Sequence, residues 1–196
     1  GIFTACDDGD LVFESLKFDG NIQKCQDKDI YYKLSGNEML FTYLPGKIND
    51  TVPLPLNQEF VYTTTSANEI VYRQYSDKAI ANSICSVISP SFPGVVEEFQ
   101  LIPGGQIKYK RIRKITKNED SNETTLNYVY TFSFTNITLS NGKEEMKYEN
   151  YTFGDLVDSQ NAVFSFNFSD SFKNCNTEGL SINNGLNQAI KINIPN

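Results

Sequence analysis

The chain has 196 residues, a formal net charge of -7, a pI of about 4.7 and no histidine. Without His, Ser-His-Asp and Cys-His catalysis lose their usual base and zinc enzymes their commonest ligand, which leaves carboxylate-pair chemistry. The acidic balance also argues against a nucleic-acid partner, because phosphate is bound by cations that displace its counterions.

A mean hydropathy of -0.38 with 14 Phe and 11 Tyr predicts a globular fold with enough aromatic area for a real core. No apolar run is long enough for a membrane-spanning helix. No secretory signal is visible, and a start at Gly1 rather than Met is compatible with a leader already removed.

The pattern along the chain is mostly that of strands. Asp29–Leu34 and Glu38–Leu44 flank Ser35-Gly36-Asn37 and read as a hairpin. Glu59–Thr65 and Glu69–Tyr75 flank Ser66-Ala67-Asn68 and read likewise. Residues 77–89 are the one helix candidate: Ile80, Ile84, Val87 and Ile88 recur at helical spacing, Asp77 can cap the start and Pro90 stops the end. Val95–Ile102 reads as an apolar strand, Gly104-Gly105 as a turn and Gln106–Lys117 as the returning strand. Leu126, Tyr128, Tyr130, Phe132 and Phe134 then alternate with smaller residues, which places a row of large side chains on one sheet face. A packed core is the commoner use of such a row, and the absence of Trp weakens a sugar-stacking platform. Asn141-Gly142 marks a tight turn before Lys143–Tyr151. Phe164, Phe166 and Phe168, and then Ile190, Ile192 and Ile194, form further alternating strands. The expected fold is therefore all-β: a single antiparallel β-sandwich or barrel-like domain over residues 1–196, with at most one short helix. Residues 90–94 hold the one candidate sub-boundary.

Cys6, Cys25, Cys85 and Cys175 include no CxxC pair, so they read as two disulfides of an oxidising compartment. Of the three connectivities, Cys6–Cys25 with Cys85–Cys175 is the expected one. Five glycosylation motifs, at Asn49, Asn122, Asn136, Asn150 and Asn167, point the same way. Asn49 and Asn122 fall in loops, and Asn136 and Asn150 are expected at strand ends. Asn167 has the parity opposite to its flanking Phe residues and is expected to face solvent. Together these features predict an extracellular or cell-surface location.

Lys108, Lys110, Arg111, Arg113, Lys114 and Lys117 hold six of the 17 Lys plus Arg. Such a strand protects a sheet edge, or forms a patch for an anionic glycan or acidic partner. Its mixed parity predicts a bulge or exposure on both faces. Asp7-Asp8-Gly9-Asp10 lacks EF-hand spacing and reads as a turn rather than a calcium loop. The adjacent pairs Glu97-Glu98 and Glu144-Glu145 point to opposite strand faces, so neither pair can flank one substrate bond. Ile190, Ile192 and Ile194, or the Gly1–Cys6 segment, could be donated as a strand to another subunit.

These residues predict a secreted, glycosylated, non-enzymatic β protein for adhesion, recognition or structural assembly, including a filament or surface layer. Its expected partners are other extracellular proteins, copies of itself, or glycans, and no cofactor or metal is called for. A β-barrel carrier of a small apolar ligand is the first alternative, although the Gly-x-Trp signature of such carriers is missing. A carboxylate-based glycoside-active enzyme is the second.

Overall fold

The structure is a computed structural model that describes residues 16–49, 51–117, 123–158, 164–167, 173–174, 180–183 and 189–192. It bears out the all-β, barrel-like expectation: one antiparallel sheet curls into a half-barrel. Its strands are β1 (Gln23–Lys24), β2 (Ile30–Ser35), β3 (Glu38–Tyr43), β4 (Glu59–Thr63), β5 (Ile70–Tyr75), β6 (Val95–Ile102), β7 (Gln106–Lys117), β8 (Glu123–Ser140), β9 (Glu145–Val157) and β10 (Phe164–Asn167). The order is β1-β2-β3-β5-β6-β8-β7-β4, with β9 and β10 also on β8. A second sheet joins β11 (Lys173–Asn174), β12 (Leu180–Asn183) and β13 (Ala189–Ile192).

β8 is the spine. Along one edge it pairs first with β7 and then, past a gap, with β6; along the other edge it pairs with β10 and β9. β6 and β7 therefore run in the same direction, one after the other. The Gly104-Gly105 pair does not reverse the chain, contrary to the sequence reading. It forms a bend where residues 103–105 lie opposite Asn136 and Ile137. Asn136 adopts a φ of 52°. This bulge moves the inward side chains of β8 from even to odd positions: Tyr130, Phe132 and Phe134 are buried before it, Ile137 and Leu139 after it.

The second expected hairpin is also corrected. β4 pairs with β7, whereas β5 pairs with β3 and β6. The Glu69 carboxylate accepts the N–H groups of Thr65 at 2.7 Å and Ser66 at 3.2 Å, and the Tyr62 hydroxyl at 2.6 Å. These bonds hold the connection open as a crossing between strands that are not neighbours. Alternation marks β4 and β5 as strands and is silent about their partners.

Two clusters cover the two faces of β2, β3 and β5. On the concave face, Tyr31, Leu40 and Tyr72 join Phe99, Ile107, Phe132, Phe134 and Phe153 in the main core. Its rings touch, with Phe134 stacked on Phe153 at 4.9 Å and Tyr31 tilted against Phe132 at 5.3 Å. On the convex face, Tyr32, Met39, Phe41, Val71 and Tyr75 are covered by Ala79, Ile84 and Cys25. The segment 16–22 lies along β9: the Ile22 N–H donates to the Asp155 carbonyl at 2.7 Å and the Tyr151 hydroxyl to the Leu16 carbonyl at 3.2 Å. From β2, buried Lys33 donates to the Phe18 carbonyl at 2.8 Å, and its Nζ would lie 2.9 Å from a Cβ at Gly154.

The helix expected over 77–89 shortens to α1 (Asn82–Cys85). Lys28 Nζ donates to the carbonyls of Ile84 at 2.9 Å and Ser86 at 2.8 Å, and Ser86 is extended. Cys25 pairs with Cys85, not with Cys6, so the expected connectivity is overturned. The two halves lie 60 residues apart, a closure that stabilises by about 4 kcal/mol in the loop-entropy account. Cys6 and Cys175 lie outside the described residues.

A Cβ at Gly105 would meet the Asn136 carbonyl oxygen and Ile137 Cγ2, each at 2.8 Å. Gly105→Ala is expected to lower unfolding free energy by about 1–3 kcal/mol in urea titrations, because backbone cannot yield as a side-chain tip does. Gly94→Ala, whose Cβ would have only Ser76 Oγ at 3.9 Å, is the control and should stay close to wild type. Equal midpoints for the two variants would contradict the close approach.

Candidate functional site

Exposed apolar side chains follow one another along the connection from α1 into the start of β6, and they include the two most exposed large ones among the described residues, Val87 and Ile88. Val87 is 96% exposed, Ile88 86%, Val96 67%, Phe92 64% and Val95 50%. The chain that carries them is anchored at its base. The Cys25–Cys85 disulfide and the two Lys28 bonds fix its start. Ser89 Oγ donates to the Ser83 carbonyl at 2.9 Å, and the Ser76 N–H donates to the Gly94 carbonyl at 2.8 Å. The segment is a held ridge of exposed apolar side chains and the candidate contact surface of the chain. Sequence reasoning missed it by assigning Val87 and Ile88 to a helix face and Val95 and Val96 to an ordinary strand. Pro90 and Pro93 were the available signal, since apolar residues on both sides of two prolines cannot share one helix face.

A second feature needs the strand register to be seen at all. Glu38 of β3 faces Gln74 of β5, and Gln74 faces Glu97 of β6. All three lie on the concave face, two residues from Leu40, Tyr72 and Phe99 of the core. The Tyr72 hydroxyl donates to Glu38 Oε1, and Asn141 Nδ2 donates to Glu97 Oε1 at 3.0 Å. Two strand spacings place the carboxylate-bearing Cα atoms roughly 9.5 Å apart. Glu98, on the opposite face, is bonded to Arg73 at 2.5 Å, so the sequence reading that Glu97 and Glu98 diverge is correct.

The basic strand does not present one surface. β7 runs in unbroken register from Gln106 to Lys117, so of the two expectations, a bulge or exposure on both faces, the second holds: Arg113 and Lys114 are both exposed. Arg111 points into the core, bonded to Asp158 Oδ2 at 2.9 Å with its guanidinium 4.5 Å from the Tyr128 ring centre. Lys108 and Lys110 are half-buried on the convex face, and β4 covers that edge of β7 only as far as Lys110. Arg113 and Lys114 are exposed beyond it, and Lys114 is paired with Asp155 at 2.7 Å. Lys117 ends the strand opposite Thr124.

Asn49, Asn136 and Asn150 are all exposed. Asn136 and Asn150 sit within β8 and β9 rather than at strand ends; Asn136 occupies the bulge, and Asn150 faces Thr135. Asn49 Oδ1 accepts the Thr51 N–H at 2.7 Å and hydroxyl at 2.6 Å. Asn167 pairs through its backbone with Glu123, and Asn122 lies outside the described residues. Ile190 and Ile192 belong to β13, which already pairs with β12 through Ile182 and Leu180, so donation of this strand would first have to break that hairpin. Ile194, Gly1–Cys6 and Asp7–Asp10 lie outside the described residues. Among the described residues no cluster of three or more metal-ligating side chains occurs, and no helix is long and apolar enough to cross a membrane.

Compared with known proteins, the chain matches no family model, no curated protein and no solved structure.

Burial holds the Tyr72 hydroxyl protonated above the ordinary phenol range, and its bond to Glu38 adds to the shift. Burial does the same at Tyr32, Tyr109, Tyr148 and Tyr151. Above about pH 10 the unfolded phenols ionise while these folded ones keep their protons, so stability is full below that pH and is lost as pH rises. Burial lowers the Lys33 ammonium, which works in the opposite direction just below its ordinary pKa, but one lysine opposes five phenols. The unfolding midpoint should fall above about pH 10, with phenolate absorbance from these residues appearing only as the fold is lost. Their free titration in the folded protein would contradict the burial.

Proposed function

We propose that this protein is an extracellular, non-enzymatic β domain that works by binding another macromolecule, as a recognition or assembly module. The observation that carries the reading is the apolar ridge of Val87, Ile88, Phe92, Val95 and Val96, held at its base by a disulfide. Apolar side chains this exposed gain stability only when a partner covers them. The disulfide fits an oxidising compartment. The exposed Asn49, Asn136 and Asn150 fit glycan attachment, with Asn136 and Asn150 close together on neighbouring strands. The carrier alternative is disfavoured, because the concave face is occupied by touching rings rather than left open for a ligand.

The test uses protein isolated from its source, sized by light scattering before and after glycan removal. The unaltered chain is expected in a complex heavier than one glycosylated copy. The double substitution Ile88→Asp with Phe92→Asp should lower the mass of that complex without moving the thermal midpoint, since both side chains are already in water. A native protein that runs as a bare monomer would overturn the reading.

A further inference from the structure

Among the described residues β4 is the last strand of its sheet, and its outward edge has the geometry to receive an identical strand. In an antiparallel ladder each residue directs its N–H and C=O to one side, and the side alternates along the strand. The Thr64 N–H donates to the Gly105 carbonyl at 2.8 Å, toward β7. Tyr62 and Phe60 therefore also face β7, in the unbroken register that β4 keeps with it. Glu59, Val61 and Thr63 direct their backbone groups away from β7, and their side chains are exposed. The strand has no Lys, no Pro and no bulge, and its one charged residue, Glu59, sits at its end.

We propose that β4 pairs with β4 of a second copy of this chain, antiparallel, about a two-fold axis through Val61. This register overlaps all five residues and brings outward-facing groups together at every hydrogen-bonding position. Glu59 falls opposite Thr63 of the second copy, so the two glutamates lie at opposite ends and never meet. Phe60 falls opposite Tyr62 of the second copy, next to the Phe60–Tyr109 stack at 5.5 Å, and aromatic cross-strand pairs stabilise a sheet. On the convex face Val61, 52% exposed, covers its own copy on the axis. The contact is isologous and closes as a dimer. Five residues a side make a small interface, so association is weak and concentration-dependent. The pairing is independent of the apolar ridge, and loss of either surface leaves the other intact.

Sedimentation of the purified full chain over a range of concentrations tests this. Wild type should shift from monomer toward dimer. Val61→Thr should behave alike, and Val61→Pro should stay monomeric, because the Val61 N–H serves the outer edge and not β7. Register is read separately under mild oxidation. Val61→Cys should crosslink two copies, since residue 61 meets itself at a Cα spacing of about 5.5 Å, within disulfide range. Glu59→Cys, which faces Thr63, should not. A wild type that is monomeric at every concentration overturns the proposal, as does Glu59→Cys crosslinking as readily as Val61→Cys.

Discussion

The contact of Gly105 against Asn136 and Ile137 is the constraint on which the rest of the fold depends. At 2.8 Å from a backbone oxygen and a side-chain methyl, there is no room for a Cβ. Because the backbones meet so closely, β6 and β7 can follow one another along the same edge of β8, and the sheet bends without breaking. The bulge at Asn136 that accompanies the bend shifts the parity of β8, so Ile137 and Leu139 continue the inward row begun by Tyr130, Phe132 and Phe134. The same bend is the landing point of the chain as it leaves β4, where the Thr64 hydroxyl and N–H both donate to the Gly105 carbonyl, at 2.9 and 2.8 Å. Curl, core and outer edge strand share one small junction.

Much of the fold is legible in the residues. The alternation from Leu126 to Phe134 marks β8, and the Ser35-Gly36-Asn37 turn marks the β2–β3 hairpin. What is not legible is pairing between distant strands. Ser66-Ala67-Asn68 has the composition of a hairpin turn, yet Glu69 uses its carboxylate to hold that segment as a crossing. Gly104-Gly105 has the composition of a turn too, but it serves close approach. In β8 the clue was available: the inward spacing lengthens from two residues to three between Phe134 and Ile137, which is the mark of a bulge. The disulfide partner of Cys25 follows from the convex cluster around Ile84, and that cluster exists only once β2, β3 and β5 are side by side.

The candidate surfaces divide along the same line. The basic strand looks like one patch when read as a string, because the reading counts charges without depth. Arg111 has the inward parity of Ile107 and Tyr109, and its cost of burial is met by Asp158, more than forty positions away. The ridge was hidden for a related reason: Val87 and Ile88 are as apolar as core residues, and only the exposure of the folded chain separates the two uses. Both faces of β2, β3 and β5 are already covered, and none of the ridge side chains belongs to either cluster. These apolar side chains stand in water among the described residues, and the proposed binding role rests on that exposure.

Side-chain footprinting of residues 86–96 measures that claim most directly. A short-lived carbene reagent would be applied to the protein in its native setting and to the purified monomer, and modification at Val87, Ile88 and Phe92 compared by peptide mass spectrometry. We predict heavy modification in the monomer and strong protection in the native setting, with Val52, exposed and away from the ridge sequence, modified equally in both. Equal modification of the ridge in the two settings would mean that nothing covers it, and would contradict a role in recognition.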